Sequence, residues 1–280
     1  LLYFNGKLID RESEFYKSGQ GKEICYRDNT GAELFEQYKF TGQGTFLADY
    51  NARTFVVADT RAPVWRRMLL DWADRAREYG ANSVFYDQLG YGERATNWDL
   101  SREFPVPNMH VIADKAEVLK MVRDRNVSFD PEFALGTEWL TDVTAQYCDY
   151  IHIYQTTAGK YSFIDWFRYT FPEIIISDRE IRDDTDIERR VNNTLLKGLR
   201  NDIEIYRCRD LIDKTPHYQA YLAQVNAIKS RYEDLLLVGT YRDTEGFTQS
   251  MEYVGDVVAG APDGGECLVR LKNRFYVGDA

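Results

Sequence analysis

Histidine and cysteine are scarce in this chain, and neither has the spacing that metal or redox sites require. The three histidines stand at 110, 152 and 217, and no two of them have the spacing of metal ligands. The four cysteines, Cys25, Cys148, Cys208 and Cys267, form no CxxC pair. We therefore expect buried free thiols, and no metal and no cofactor.

Basic charge and long apolar runs are also lacking. The chain carries 35 basic against 45 acidic residues, and its formal charge of -10 repels a phosphate backbone unless a basic patch overrides it. No such run of Lys and Arg occurs, and no stretch approaches the roughly 20 apolar residues that span a bilayer. The composition therefore predicts neither a nucleic acid nor a membrane as partner, and it leaves the oligomeric state open.

Motifs of two common enzyme classes are missing as well. The chain has no Gly-x-Ser-x-Gly segment, which disfavours a serine hydrolase. No glycine-rich phosphate-binding segment follows a predicted strand, which disfavours a doubly wound sheet. What the 280 residues do offer is 44% hydrophobic content, enough for one barrel-sized domain or two small ones.

Apolar strand-like segments alternate with helical segments over the first 233 residues. Strands are predicted at Leu1–Asn5, Thr54–Ala58, Ser83–Gln88, Phe133–Glu138, Tyr150–Gln155, Glu173–Ser177 and, more weakly, Ile203–Tyr206. Helices are predicted from Pro63 to the stop signal Gly80, and at about 114–124, 185–200 and 216–233. This alternation implies parallel βαβ units and favours a (β/α)8 TIM barrel, with residues 10–50 as a functional excursion or small hairpin insertion.

The strand count falls short of eight, so we expect a barrel that is incomplete on its N-terminal side, with one or two βα units upstream of Leu1. A signal peptide would also lie upstream, which leaves secretion or periplasmic export open. Beyond residue 233 the pattern changes to Leu235–Tyr241, Ser250–Val258 and Cys267–Leu271, separated by Gly, Asp and Pro. We expect a barrel domain over 1–233 and the start of an antiparallel β-sandwich-like domain over 234–280.

Two predicted strands end in an acid. Asp87 and Glu138 come at the C-terminal ends of their strands, which is where barrel enzymes keep their active sites. A glycosidic bond is hydrolysed between two carboxyl groups, one serving as acid/base and the other as nucleophile or base. The pair is thus a candidate catalytic pair, although 45 acidic residues make single chance placements common.

Four blocks resemble bacterial barrel proteins related to the α-galactosidases and the endo-α-N-acetylgalactosaminidases. Within the segment 80–90, residues Gly80 to Gln88 resemble their "G-A-x-x-V-x-x-D-Q" pattern, and Asp87 and Gln88 are the last two positions of that pattern. Leu135-Gly136-Thr137-Glu138 resembles their second acidic strand end, and 166–173 their "F-R-Y-x-F-P-E" block. Residues 2–10 are similar to an earlier strand, so the resemblance extends from about residue 1 to 247.

The resemblance implies a retaining mechanism with Asp87 as nucleophile and Glu138 as acid/base, acting on an oligosaccharide or glycoconjugate. In related families the nucleophile ends the fourth barrel strand and the acid/base ends a later one, an order that this chain permits. The chain departs from many members in lacking a His-Gly-His type of segment in 91–110, where only Met109-His110 remains. The resemblance is therefore weakest in that loop.

Further substrate contacts are predicted from position and side-chain type. Sugar sites use aromatic faces and fixed polar groups. The candidates are Asn5, Asp59, Gln88, His110, Trp139, His152, Arg168 and Glu173. Structural alternatives exist: His152 lies between two isoleucines as a core histidine would, and the alternative for Arg168 and Glu173 is an ion pair with each other.

Two other functions fit the same residues. A barrel lyase or isomerase would bind Mg²⁺ through Asp59, Asp87 and Glu138, because acids that end successive strands also build metal-dependent barrels. A non-catalytic carbohydrate-binding barrel would keep the shape without the reaction. The separation of the two carboxyl groups, or the convergence of three of them on one ion, distinguishes these functions.

Overall fold

A computed structural model gives the fold of the chain. It describes residues 1–39, 45–91, 96–99, 101, 111–153, 170–181, 183–196, 199–203, 215–233, 240–242, 246–248, 255–260 and 267–271. The chain divides into two compact units, Leu1–Asn226 and Ala227–Ala280. Within the described residues no helix is both long and apolar enough to cross a membrane.

The elements are, in chain order, β1 (Leu2–Asn5), β2 (Leu8–Asp10), α1 (Glu14–Lys17), α2 (Gln20–Glu23), β3 (Phe35–Glu36), α3 (Thr45–Ala52), β4 (Phe55–Val57), α4 (Pro63–Glu78), β5 (Ser83–Asp87), α5 (Val111–Val127), β6 (Ala134–Glu138), a 3-10 turn (Thr144–Tyr147), β7 (Tyr150–Ile153), β8 (Ile175–Ile181), α6 (Ile187–Leu196), β9 (Arg200–Ile203), α7 (Pro216–Glu233), β10 (Thr240–Arg242), β11 (Gly246–Thr248), β12 (Gly255–Gly260) and β13 (Cys267–Leu271).

A parallel six-stranded sheet organises the first unit. Its strand order is β1-β5-β6-β7-β8-β9, and every neighbouring pair is parallel. The sequence predicted these strands within a few residues, except that the last strand is Arg200–Ile203, ahead of the expected Ile203–Tyr206. The prediction of a mixed α/β fold with parallel strands is confirmed to this extent.

One face of this sheet packs on the helices. Strand side chains alternate between the two faces, so Phe4, Tyr86 and every second residue of the neighbouring strands point the same way. Phe4 stacks on Trp72 of α4 with ring centroids 5.4 Å apart, and the Tyr86 hydroxyl donates to the carbonyl of Leu69. The buried core lies between this face and helices α4 and α5.

Helix α4 shows why the sequence pattern succeeds locally. Pro63 occupies its first turn, and Gly80 follows its end with a φ of 78° that favours glycine. The buried positions Trp65, Leu69, Ala73 and Ala76 recur every three or four residues, which places them on one face. The prediction of a helix that starts at Pro63 and stops before Gly80 is therefore confirmed.

The prediction that 54–58 belongs among the parallel strands is wrong. Strand β4 is the centre of a separate antiparallel sheet of order β2-β4-β3, where Val57 faces Leu8 and Phe35 faces Val56. A short apolar run has the same local pattern in either sheet, and only pairing with distant residues decides between them. The segment between β1 and α4 is thus an insertion with its own small sheet.

Helix α7 closes the first unit, and short antiparallel strands form the second. Tyr218 and Val225 of α7 pack with Ile181, Ile187 and Val191 in a small core. In the second unit β10 pairs with β11 and β12 pairs with β13, both antiparallel. The predicted strand at Cys267–Leu271 is present as β13, whereas parts of the other two predicted strands lie outside the described residues.

Candidate active site

The two candidate catalytic acids lie at corresponding positions of neighbouring strands. Tyr86 of β5 is in register with Thr137 of β6, so Asp87 and Glu138 are each one residue further towards the C-terminal edge. Because Tyr86 points into the helical layer, its neighbour Asp87 points to the opposite face of the sheet. The register therefore places both carboxylates on the face away from the helices, with Asp87 half-buried and Glu138 only 6% exposed.

Two side chains of β1 donate hydrogen bonds to Asp87. The Tyr3 hydroxyl donates to Asp87 Oδ2 at 2.6 Å, and the Asn5 side-chain amide approaches the same oxygen at 3.4 Å. Asn5 itself is held because its Oδ1 accepts from the backbone N–H groups of Lys7 and Leu8 at 3.0 and 2.8 Å. Asn5, predicted as a sugar contact, therefore lies beside Asp87.

Tyr3 is a functional candidate that the sequence reasoning missed. Its pKa is raised by desolvation of the hydroxyl, by the Asp87 carboxylate that accepts its hydrogen bond, and by the nearby Glu138 carboxylate. Tyr3 lies two residues before Asn5 in the same strand, so the period of two that marks a strand would have placed it on the Asp87 face.

The residue after each acid has a left-handed backbone. Gln88 follows Asp87 with a φ of 61°, and Trp139 follows Glu138 with a φ of 55°. Such backbone is uncommon for residues other than glycine and is held by its surroundings. The carbonyl of Gln88 accepts from buried Lys115 Nζ at 3.2 Å, and Trp139 N–H donates to the carbonyl of His152 at 3.1 Å.

The turn after Asp87 is joined directly to β6. Thr137 Oγ1 accepts from Gly90 N–H and donates to the carbonyl of Tyr86, each at 2.7 Å. Thr144 Oγ1 donates to the carbonyl of Gly90 at 3.2 Å. A Cβ at Gly90 would lie 2.3 Å from the carbonyl oxygen of Trp139, so this close approach requires glycine. The strand ends that carry Asp87 and Glu138 are therefore fixed to each other.

A polar cluster from the insertion contacts Gln88. We call Lys7, Glu36 and Tyr38 the Glu36 cluster. Glu36 forms an ion pair with buried Lys7 and accepts from Tyr38 Oη at 2.6 Å, while Gln88 Nε2 donates to Tyr38 Oη at 2.8 Å. Burial alone would raise the pKa of Glu36, but the donors Lys7, Tyr38 and Gln88 outweigh it and lower the pKa. Glu36 therefore stays anionic beside the turn that follows Asp87.

His152 lies beside Glu138 and contacts a second acid. Its backbone is in register with Glu138 on one side and Ser177 on the other. His152 Nδ1 is 3.2 Å from Asp202 Oδ2 and 3.2 Å from the Tyr150 hydroxyl. Sequence reasoning missed Asp202 because β9 was predicted three residues too late in the chain. It missed the Glu36 cluster because residues 10–50 show no helical period of apolar residues.

Rings line the sheet beneath the two carboxylates. Tyr3 stacks on Phe85 with centroids 5.9 Å apart, and Phe85 contacts the rings of Tyr150 and His152 at 5.9 and 6.0 Å. Gly136 lies between Phe85 and Tyr150 in the register of the sheet, and the absence of a side chain there lets the two rings meet. A Cβ at this position would lie 2.7 Å from the Tyr150 ring. The site thus combines carboxylates with aromatic faces, as sugar-binding sites do.

Two other predicted contacts, Asp59 and Glu173, lie away from Asp87 and Glu138. Asp59 follows β4, so it does not end a strand of the parallel sheet, and it is fully buried with its carboxylate bound to Asn97 Nδ2 and Arg61 N–H. Glu173 is exposed and precedes β8, which places it at the N-terminal edge, opposite Asp87 and Glu138. His110 and Arg168 lie outside the described residues.

The described residues contain no group of three His, Cys, Asp or Glu side chains that could hold a metal. Asp59, Asp87 and Glu138 therefore do not form the triad that a magnesium-dependent reaction would need. Of the cysteines, Cys25 and Cys148 are buried thiols, and burial raises the pKa of Cys148. Both thiols agree with the expectation of structural cysteines.

Comparison with solved structures identifies the fold. An α-galactosidase from Thermus thermophilus in complex with stachyose matches with a TM-score of 0.50 and 11% identity, over 79% of this chain and 49% of that one. A GH31-family sulfoquinovosidase from E. rectale with an aza-sugar inhibitor matches with a TM-score of 0.53 and 14% identity, over 84% and 37%. A variant of the GH36 α-galactosidase from Geobacillus stearothermophilus with raffinose gives 0.50 and 11%, over 85% and 32%.

No protein-family model and no curated protein matches the sequence. The chain spans about half or less of the length of these solved structures. At such low identity the likeness concerns the fold alone. The chain is similar in fold to these solved glycoside hydrolases, and α-galactosidases are also the group that its sequence resembles.

Proposed function

We propose that the protein is a retaining glycoside hydrolase that cleaves an α-linked sugar, with Asp87 as nucleophile and Glu138 as acid/base. One observation carries the proposal: the two acids occupy corresponding positions at the C-terminal ends of neighbouring parallel strands, on the face away from the helices. In barrel enzymes this edge holds the catalytic groups.

The register also bears on the stereochemistry. Neighbouring strands lie about 4.8 Å apart, so carboxylates at corresponding positions are near the roughly 5 to 5.5 Å separation of retaining enzymes. Inverting enzymes need about 6.5 to 9.5 Å to accommodate a water molecule. The placement of Asp87 and Glu138 therefore favours direct attack by a carboxylate.

In the reaction, an Asp87 oxygen forms a bond to the anomeric carbon while the glycosidic C–O bond breaks. Glu138 donates its proton to the departing oxygen and then takes a proton from the water that releases the sugar from Asp87. The α-galactosidases with stachyose and raffinose share the fold, which makes α-galactosides the first substrates to test. Half-buried Gln88 and Trp139, Asn5 and His152 are the proposed sugar contacts.

The proposal extends to the architecture. The six parallel strands would belong to a (β/α)8 barrel as the catalytic domain over 1–233, and 234–280 would belong to a β-sandwich-like region. A closed barrel leaves no open edge, so hydrogen exchange should show protected amides on both β1 and β9. Rapid exchange along one of these strands would contradict closure.

The experiment is a screen of aryl α- and β-glycosides, followed by two variants assayed on good and poor leaving groups. Asp87→Asn should lose about 10⁴-fold or more in kcat on every substrate, because no nucleophile remains. Glu138→Gln should lose roughly 10² to 10⁴-fold on poor leaving groups and much less on activated aryl groups that need no proton. Proton NMR of the first-formed sugar should show the anomer of the substrate.

Asp71→Asn and Glu78→Gln are matched controls, because both acids are exposed on the outer side of α4. Saturable oligosaccharide binding without turnover would favour the non-catalytic binding barrel. Activity that is lost in EDTA and restored by Mg²⁺ would favour the lyase or isomerase.

A further inference from the structure

We propose that Tyr3 is a third catalytic residue, whose hydroxyl stabilises the Asp87 carboxylate when the sugar leaves it. The inference rests on the proposed function, since it assigns Tyr3 a part in the same two-step reaction. The observation behind it is the 2.6 Å hydrogen bond from Tyr3 Oη to Asp87 Oδ2, within the range of strong bonds to a charged acceptor.

The position of Tyr3 is fixed from two sides. Its backbone is in register with Phe85, two residues before Asp87, and its ring stacks on the Phe85 ring at 5.9 Å with an interplanar angle of 19°. Gly6 N–H donates to the carbonyl of Asp87 at 2.9 Å, which ties the ends of β1 and β5 together. The hydroxyl therefore meets Asp87 without a conformational change.

The surroundings of the hydroxyl keep it protonated. Desolvation of the hydroxyl, the hydrogen-bonded Asp87 carboxylate on β5 and the Glu138 carboxylate on β6 all raise the pKa of Tyr3. The phenol therefore remains a donor throughout the pH range in which a glycosidase works. Tyr3 transfers no proton; it contributes a hydrogen bond that is present in both steps of the reaction.

The strength of that hydrogen bond changes as the bond between Asp87 and the sugar forms and breaks. A free carboxylate is a much stronger acceptor than the ester of the glycosyl-enzyme, so Tyr3 stabilises Asp87 most before attack and after release. In the second step water adds to the anomeric carbon, its proton goes to Glu138, and the electron pair of the breaking C–O bond returns to Asp87. Tyr3 accelerates this step by stabilising the carboxylate that leaves.

The test is Tyr3→Phe, which removes the hydroxyl and keeps the ring against Phe85. We expect kcat on an activated aryl glycoside to fall about tenfold to a hundredfold, with KM falling in parallel because the glycosyl-enzyme accumulates. Intact-protein mass spectrometry at steady state should show the added sugar mass in the variant. The acidic limb of kcat/KM should move up by about 1 pH unit, since Asp87 loses a donor that favours its charged form.

Tyr79→Phe is the matched control, because Tyr79 is 79% exposed at the end of α4. Wild-type kcat, no accumulated intermediate and an unmoved acidic limb in Tyr3→Phe would overturn the inference. A direct readout separates it from the proposed function: carbon NMR of the Asp87 carboxyl should titrate at higher pH in Tyr3→Phe. Failure of the proposed function would appear as an inactive wild type, whereas an unchanged Asp87 titration would reject the role of Tyr3.

Discussion

At the scale of single residues, the Lys7–Glu36 ion pair lies where the insertion contacts Gln88, the residue after β5. Lys7 is only 4% exposed, and its ammonium group is paired with Glu36. A buried ion pair adds little net stability, but removal of one partner leaves a charge that has lost both water and its counter-ion. The pair therefore fixes the position of the Glu36 cluster against Gln88.

Glu36→Gln should destabilise the fold at pH 7 by about 1 to 3 kcal/mol, reduced from the fully buried case because the Glu36 side chain is 28% exposed. The pKa of Glu36 is lowered from 4.5, so its contribution is complete above that pH and is lost as the pH falls through the lower folded value. Urea unfolding should show a smaller difference between wild type and variant at pH 3.

The double variant Lys7→Met with Glu36→Gln is the control for this prediction. It should be less destabilised than the sum of the two single variants, because the isolated charge is removed. An equal loss for Glu36→Gln at pH 3 and pH 7 would mean that the ion pair is not the cause.

At the scale of elements, the ends of β5 and β6 form one rigid unit. Gly90 contacts Thr137 and Trp139 through backbone and hydroxyl atoms, so the turn after Asp87 cannot move without β6. This coupling would keep the separation of Asp87 and Glu138 constant, which a two-carboxylate reaction requires.

Gly90→Ala should cost about 2 to 3 kcal/mol of stability, because its Cβ would lie 2.5 Å from Thr137 Cγ2 and nearer still to the Trp139 carbonyl. If the proposed function holds, kcat should fall with it as the two acids are forced apart. Gly31→Ala is the comparison: no atom lies within 4 Å of its Cβ, and its φ of 84° costs only about 1 kcal/mol of backbone strain. Equal melting temperatures for the two variants would contradict the close contact.

At the scale of the whole molecule, every candidate site residue within the described part of the chain lies in the first unit. That unit ends at Asn226, within α7, and α7 covers Ile181, Ile187 and Val191. The helix therefore belongs to the parallel-sheet unit in packing, although it also leads into the second unit.

A chain ending at residue 233 should match the 280-residue chain in melting temperature and in activity, because it keeps the whole first unit and all of α7. A chain ending at residue 214 should lose several kcal/mol, because each apolar side chain uncovered costs about 1.5 to 3 kcal/mol. Thermal unfolding followed by circular dichroism compares the two. A shorter chain as stable as the longer one would show that α7 is dispensable to the core.

The sequence alone determined the local features of this protein. Short β-rich apolar runs that end in an acid predicted β5 and β6 with Asp87 and Glu138 at their C-terminal ends, and Pro63 and Gly80 marked α4 within two residues. The periodicity of apolar residues and the residues that start and stop a helix involve only neighbours in the chain. Both can therefore be read from the sequence.

Only the tertiary structure decided which distant segments meet. It paired Phe55–Val57 with Leu8–Asp10 in the antiparallel sheet, brought Glu36 to Gln88 and Asp202 to His152, and separated Glu173 from the site. Strand pairing joins residues far apart in the chain, and the same short apolar segment can pair equally well with several other strands. The choice among them depends on the packing of the whole core, which no local pattern records.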